Sequence, residues 1–453
     1  MTSLQPLNDT IAAIATPGGT GGLAVVRISG QNSRSISQRC LSRNADLVPF
    51  EATFSHVINP ADHSPIDEII ATYFQAPKSY TAEDVVEISC HGGHYIAQQV
   101  LDAVLSQGAR MAEPGEFTRR AFLNGRIDLT QAEAVSDLIN AQTSSSHKIA
   151  LQQLEGALKN RVSKIRQDLL DTISLLELEL DFSEDEINKT PYKKIIAAVD
   201  HITSQCTDLV STYREGRIYR NGVFVPIVGK PNAGKSSILN ALLKQERALV
   251  SDIPGTTRDT IEESISHRGV EIRLVDTAGL RESEDTIESM GISRTEQMME
   301  QADALLHIID LTDPEREQPA KNTNGAPVIP VFNKIDLTDN RHDKSGNNTL
   351  YTSAITLEGI DQIGDAIINV VLDEQSIAES SDSAMVTNSR HRNALEAAIE
   401  GLQRSKASAE KQLSSEFIVL DLRAALDSLG LLTGETTTDD ILNNIFEHFC
   451  IGK

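Results

Sequence analysis

VFVPIVGKPNAGKSSILNALL, residues 223–243, sets an apolar run, a glycine-bounded loop and a second apolar run in direct succession. The β-branched start reads as a strand and ILNALL as the opening turns of a helix. Between them GKPNAGKSS (229–237) fits G-x-x-x-x-G-K-[ST] in the strand–loop–helix setting that pattern needs. Gly229 and Gly234 let the backbone turn its N–H groups toward phosphate oxygens, and the helix N-terminus adds partial positive charge. Lys235 would bridge β- and γ-phosphates and Ser236 would ligate Mg²⁺. The phosphate-contacting run is therefore Asn232, Ala233, Gly234, Lys235, Ser236 and Ser237.

The surrounding block, 222–373, alternates apolar strands with amphipathic helices, the rhythm of a doubly wound α/β sheet. Three further motifs stand at its strand ends. DTAG (Asp276, Thr277, Ala278, Gly279) follows EIRLV; Asp276 would hold Mg²⁺ and Gly279 would face the γ-phosphate. NKID (Asn333, Lys334, Ile335, Asp336) follows PVIPVF. A carboxylate there pairs with the two N–H donors of guanine, which adenine does not present. SAI (Ser353, Ala354, Ile355) supplies a backbone contact to the base. VSDIPGTTRDT (250–260) is a switch-loop candidate through Ser251, Asp252, Ile253, Pro254, Gly255, Thr256 and Thr257, with Thr257 as second Mg²⁺ ligand. Four motifs in this order predict a GTPase; an ATP-binding domain leaves NKID unexplained. Many GTPases place a water-orienting Gln after Asp-x-x-Gly. Here Leu280 stands there and cannot hydrogen-bond water, so another group must orient it.

Outside the block, residues 1–120 read as mixed α/β, with strands at 23–29, 68–75 and 84–90 and a helix at 96–108. From Leu129 to Leu180 the pattern is helical and nearly free of Gly and Pro. Leu151, Leu154, Leu158, Val162, Ile165, Leu169, Ile173, Leu176 and Leu180 draw one apolar stripe. Helical patterns continue to about 215 and return over 387–449. The organisation expected is 1–120, then a helical domain from 121–220 plus 380–453, with the GTPase domain 221–379 inserted in it. There are 41 Lys+Arg and 65 Asp+Glu, a net charge of −24, which argues against broad electrostatic binding to nucleic acid. Four scattered cysteines, Cys40, Cys90, Cys206 and Cys450, form no C-x-x-C pair and fit a reducing cytoplasm. No stretch reaches about 18 uninterrupted apolar residues, so neither a signal peptide nor a membrane span is expected. The cysteine and two histidines of CHGGH (90–94) lack the further ligands zinc needs, and turn chemistry is the expectation.

PNAGKS, GTTRD and DTAGL together resemble the translation-factor-related GTPases of tRNA modification and ribosome assembly, many of which lack the catalytic Gln. In several of these an Asn in the phosphate loop, here Asn232, goes with K⁺ used in place of an arginine finger. The resemblance places the other K⁺ ligands at Ser251, Ile253 and Thr256 and the water-positioning carboxylate at Glu288. On chemistry alone Glu282, Glu284 and Asp285 compete with it. DTIAAIATPGGTGGLAVVRISG (9–30), SYTAEDVVEISCHGG (79–93), PGEFTRRAFLNGRIDLTQAEAVSDLI (114–139) and FCIGK (449–453) resemble the tRNA modification GTPase MnmE (TrmE) family, and the likeness covers nearly the whole chain. It implies an N-terminal domain that dimerises and binds 5-formyl- or methylene-tetrahydrofolate. It also implies a heterotetramer with an MnmG-like flavoprotein, FAD residing only in that partner, and modification at carbon 5 of the tRNA wobble uridine. The folate contacts it implies fall at Arg27, Glu87, Arg126 and Lys453; position 126 is Arg where Lys is the family expectation, so charge is kept and geometry altered. Cys450 is read as structural or pocket-forming rather than nucleophilic, since His448 is its only near base. The rivals are a ribosome-assembly GTPase, disfavoured by the acidic balance, and a non-hydrolytic GTP-switch scaffold.

Overall fold

A computed structural model of the chain describes residues 9–42, 46–181, 191–245, 247–249, 262–276, 298–313, 315, 325–338, 349–372, 384–447 and 449–453. The chain divides into two compact units, one of 1–136, 154–173 and 422–453, the other of 137–153 and 174–421.

The first unit opens with β1 (Ile11–Ile14), β2 (Leu23–Ser29), α1 (Ser33–Cys40), β3 (Ala52–Ile58), β4 (Pro65–Phe74), β5 (Val85–His91), α2 (His94–Ser106), β6 (Arg110–Met111) and α3 (Glu116–Leu123). The strands form one sheet in the order β3-β4-β5-β2-β1-β6, antiparallel except at the β1–β6 edge. Period-two alternation divides its faces. Val26, Ile28, Val86 and Ile88 join Val100, Leu101 and Val104 of α2 in one buried core. Ile11 and Ala13 instead pack with Phe117 of α3. In the β2–β5 register Arg27 stands directly opposite Glu87.

The stretch expected as one helical run is three helices, α4 (Leu129–Asn140), α5 (Ser144–Leu154) and α6 (Ala157–Asp181). Thr143 makes the first break: its Oγ1 accepts from Ser146 N at 3.2 Å, a helix-start bond. The second falls at Gly156, whose φ is +93°. The apolar stripe is accordingly buried from Leu158 through Val162, Ile165, Leu169, Ile173 and Leu176, while Leu151, on the preceding helix, is exposed. α7 (Tyr192–Ser211) and α8 (Tyr213–Asn221) follow.

The second unit carries β7 (Val223–Val228), α9 (Lys235–Gln245), β8 (Arg247–Leu249), β9 (Glu262–His267), β10 (Val270–Asp276), β11 (Leu305–Asp310), β12 (Val328–Asn333), β13 (Leu350–Tyr351) and α10 (Asp361–Val371). Their sheet runs β13-β12-β11-β7-β10-β9-β8. Five strands from β13 to β10 are parallel; β9 and β8 are antiparallel and extend the sheet at one edge. The β9–β10 turn is Arg268–Gly269, both at positive φ, the tight-hairpin geometry that matches strand twist. α11 (Ser389–Glu410), α12 (Ser415–Thr433) and α13 (Asp439–Phe446) complete the chain.

Candidate functional site

β10 and β11 lie on opposite sides of β7, so the sheet order reverses there, the kind of switch point at which open α/β sheets bind ligands. The residues expected to hold nucleotide leave the sheet at that edge. Gly229 follows β7 so closely to β11 that a Cβ would sit 2.3 Å from the Ile308 carbonyl oxygen. Lys235, 8% exposed, heads α9 and donates from Nζ to the carbonyls of Gly229 and Lys230, both at 3.0 Å. Its charge is thereby centred in the mouth of the loop. Ser236 Oγ donates to Asp276 Oδ2 at 2.5 Å, which unites two of the three expected Mg²⁺ ligands across 40 residues of sequence. A hydroxyl beside a carboxylate is a donor pair suited to a hard divalent cation. Asn232 is exposed and holds φ +63°, a left-handed conformation Asn tolerates better than most residues. Ser237 is also exposed, whereas Ala233 is buried.

The motif expected to read guanine is tied to the same loop. Asn333 ends β12 with its side chain buried, donating from Nδ2 to Ala233 O at 3.0 Å and accepting at Oδ1 from Ala354 N at 3.3 Å. Gly234 is what lets Asn333 in: with φ +97°, a Cβ there would meet Asn333 Nδ2 at 2.2 Å. Lys334 also stands at positive φ, +68°, and donates from Nζ to Asp310 Oδ2 at 2.5 Å. Ile335 N donates to Thr352 O, while the exposed Asp336 sits on a single 3₁₀ turn, Ile335–Leu337. Ser353 is buried and its Oγ accepts from Ile355 N at 3.3 Å and Thr356 N at 3.1 Å; Ile355 itself is exposed. Ser251, Asp252, Ile253, Pro254, Gly255, Thr256, Thr257, Thr277, Ala278, Gly279 and Glu288 lie outside the described residues. So do Leu280 and the competing carboxylates Glu282, Glu284 and Asp285.

A second constellation sits in the first unit. Arg27 Nε donates to Glu87 Oε1 at 2.8 Å and Arg27 Nη1 to Gly452 O at 3.1 Å. Its guanidinium lies 4.9 Å from the Tyr80 ring centre, and that of Arg126 lies 5.2 Å from the same ring while donating to Tyr80 O at 2.6 Å. Burial, with Arg27 adding to it, pushes the Lys453 ammonium below its usual value; Glu87 opposes the shift. Arg27 and Arg126 thus share one aromatic ring, Tyr80, which sequence reasoning did not single out, and Glu87 and Lys453 interact with Arg27. Tyr80 is positioned by its hydroxyl, 2.8 Å from Thr118 Oγ1. A cavity of about 720 Å³ adjoins the C-terminal tail at Cys450 and Ile451; the glycine-rich loop 18–21 and the start of α2 line it, but none of the four does.

The same unit holds a buried charge cluster. Arg120, 1% exposed, bonds from Nη2 to Asp9 Oδ1 at 2.6 Å and Glu116 Oε1 at 3.0 Å, and from Nη1 to Glu83 Oε2 at 3.3 Å. Burial raises the Asp9 and Glu116 carboxyls, but Arg110 and Arg120 outweigh it and hold both below the usual range. In CHGGH, His91 bonds Asp67 through its ring Nδ1 at 2.7 Å, and among the described residues no cluster of three or more His, Cys, Asp or Glu could hold a metal ion. Cys40, Cys90 and Cys206 are buried free thiols, burial pushing the first up to about 12 and the second to about 11, while Cys450 is exposed. Among the described residues no helix is long and apolar enough to cross a membrane.

A phosphate loop after the switch-point strand, a Ser–Asp oxygen pair beside it and an Asn-x-x-Asp base loop at the next strand end define a P-loop GTPase. The model of the GTP-binding protein TrmE N-terminus matches residues 10–126, and that of the MnmE helical domain matches 129–450, a range that brackets the nucleotide sheet. The tRNA modification GTPase MnmE of Carboxydothermus hydrogenoformans is 40% identical over 462 residues, and that of Syntrophus aciditrophicus 43% over 460; each alignment covers 99% of this chain and 100% of the relative. The chain belongs to the tRNA modification GTPase MnmE family. The solved G domain of the T. maritima FeoB iron transporter covers 33% of this chain and 99% of its own at 23% identity, with a TM-score of 0.24, too slight to define the fold.

Proposed function

We propose that this GTPase couples GTP hydrolysis to tRNA modification at carbon 5 of the wobble uridine. The product is an aminomethyl or carboxymethylaminomethyl group, made with an FAD-dependent MnmG-like partner and a tetrahydrofolate one-carbon donor. The observation that carries the reading is full-length similarity to proteins named tRNA modification GTPases. The reading assigns 1–120 to folate binding and dimerisation, 221–379 to GTP, and 121–220 plus 380–453 to a helical domain that carries the insert. It places the protein in the cytoplasm.

Ser236, Asp276 and Thr257 would hold Mg²⁺, which when bound offsets charge on the β- and γ-phosphate oxygens. Lys235 would exchange its two carbonyl partners for phosphate oxygens. Asn232, with the carbonyls of Ser251, Ile253 and Thr256, would hold K⁺ beside the β/γ bridge; the exposure of Asn232 on the phosphate loop supports this. Glu288 would orient the attacking water, the task Leu280 cannot perform. In the first unit Glu87 would accept from pterin N–H groups, while Arg27, Arg126 and Lys453 would meet the glutamate tail. The convergence of Arg27 and Arg126 on Tyr80, with Glu87 bonded to Arg27, supports a shared ligand.

GTP hydrolysis measured in KCl and NaCl for wild type, Asn232→Ala and Glu288→Ala tests the nucleotide half. Faster turnover in KCl, lost in both variants, is expected; equal rates in the two salts would sink the K⁺ role. Nucleoside mass spectrometry of tRNA incubated with the chain, its flavoprotein partner, GTP and the folate donor tests the rest. Unmodified wobble uridine in the complete reaction, with GTP consumed, would refute the tRNA assignment.

A further inference from the structure

In the sheet order β12-β11-β7, the turn after β11 lies between the phosphate loop, which follows β7, and the base loop, which follows β12. That turn is Asp310-Leu311-Thr312-Asp313. Asp310 works with both carboxylate oxygens. Oδ1 accepts from Thr312 N at 2.8 Å and Thr312 Oγ1 at 2.6 Å, and Oδ2 accepts from Lys334 Nζ at 2.5 Å. Burial raises its carboxyl, but the Lys334 and Thr312 bonds outweigh that and hold it below the usual range. Leu311 N donates to Asn333 O at 3.2 Å, a backbone tie to the same base loop. On the other side Lys230, inside the phosphate loop, donates from Nζ to Asp313 Oδ2 at 3.1 Å and Glu315 O at 2.6 Å. The Lys230 carbonyl is in turn one of the two acceptors of Lys235 Nζ.

We propose that Asp310 and Asp313 are positioning residues for guanine nucleotide: one acidic turn grips Lys334 of the base loop and Lys230 of the phosphate loop and sets the spacing between them. Two features make the grip consequential. Lys334 holds a left-handed backbone that is unfavourable for a residue with a Cβ, so it needs restraint from outside its own loop. The Lys230 carbonyl locates the ammonium that meets phosphate, so movement of Lys230 displaces Lys235. Neither aspartate contacts nucleotide in this account; each acts through a lysine. Guanine and the β-phosphate are present in both GDP and GTP, so affinity for both should change together and turnover at saturation should change little.

The proposal rests on the GTPase assignment, and the two fail differently, because absence of guanine-nucleotide binding in the wild-type chain would overturn that assignment first. The test titrates fluorescent mant-GDP and mant-GTP into the full chain and its D310N, K334M, D313N and K230M variants, with the two matched double variants. D310N should weaken both nucleotides about tenfold, the effect of losing one charge-assisted bond in a part-buried pair. D313N, on a more exposed pair, should weaken them about threefold. kcat at saturating GTP should stay within about threefold in D310N and D313N. In the double-variant cycles, D310N should add almost nothing once Lys334 is Met, and D313N almost nothing once Lys230 is Met. Wild-type affinity in D310N and D313N overturns the proposal, as does full additivity in the cycles. D313N with its cycle decides the matter even if D310N fails to fold.

Discussion

Gly234→Ala reads the contact on which the proposed nucleotide site is built. A Cβ at that position would lie 2.2 Å from Asn333 Nδ2, on a backbone with φ +97°. Left-handed geometry costs a residue with a Cβ about 1–2 kcal/mol. Asn333 must also withdraw, which gives up its bond to Ala233 O and costs about 1 kcal/mol. The binding-competent loop is then re-formed at a cost of about 2–3 kcal/mol, or roughly 30- to 150-fold in nucleotide affinity. GDP and GTP should lose affinity alike, because the contact joins the phosphate loop to the base loop rather than to the γ-phosphate. Fluorescent-nucleotide titration of the full chain in Mg²⁺ measures it. Gly325→Ala is the control: its φ is +86°, nothing lies within 4 Å of its added Cβ, and it precedes the opposite end of β12. A Gly234→Ala dissociation constant within threefold of wild type would refute the claim that Gly234 exists to admit Asn333.

Arg120→Ala removes the one guanidinium shared by Asp9, Glu83 and Glu116, and should destabilise the unit containing residues 9–136 by about 3 kcal/mol in urea unfolding followed by circular dichroism. A loss under about 1 kcal/mol would show the cluster to be incidental. Asp9 and Glu116 titrate below their unfolded values, so their contribution is complete above about pH 4–5 and lost as pH falls through the lower folded values. Wild-type stability should drop in that acid window, and Asp9→Asn should flatten the drop; an unchanged slope would contradict the linkage. Tyr80→Leu should weaken 5-formyltetrahydrofolate about tenfold by isothermal calorimetry by releasing Arg27 and Arg126 from one ring, whereas Tyr80→Phe should bind within threefold of wild type. Equal binding by the Leu variant would place the folate elsewhere, with the cavity beside Cys450 and Ile451 as the next candidate.

What was legible in the sequence was set by local chemistry, and what was not depended on partners far along the chain. Gly229, Gly234, Lys235, Ser236, Asp276 and Asn333 could be singled out because each lies at or within a few residues of a strand end, and strand ends announce themselves by an apolar run stopping at a polar motif. That is enough to foresee that Ser236 and Asp276 converge, since parallel neighbours bring their carboxyl ends together. The breaks at Thr143 and Gly156 were missed because an apolar period of three and four runs through both and outweighs one helix-start Thr and one helix-ending Gly. The β8–β9 edge was missed because EESISH carries little apolar signal, although Arg268–Gly269 marks the hairpin. Tyr80 could not be found at all by pattern: it stands in SYTAED, an ordinary-looking turn. Only the β2–β5 register, with Arg27 facing Glu87, shows that two strands and the C-terminal tail meet beside it. Lys230 and Asp313 are 83 residues apart; Lys230 fills an unspecified position of the phosphate-loop pattern and Asp313 lies outside every motif. Their pairing follows from strand order alone, because β11 must lie between β7 and β12 before its turn can reach both loops. Motif residues therefore identify the chemistry, while the residues that space the motifs emerge only once the order of the strands is known.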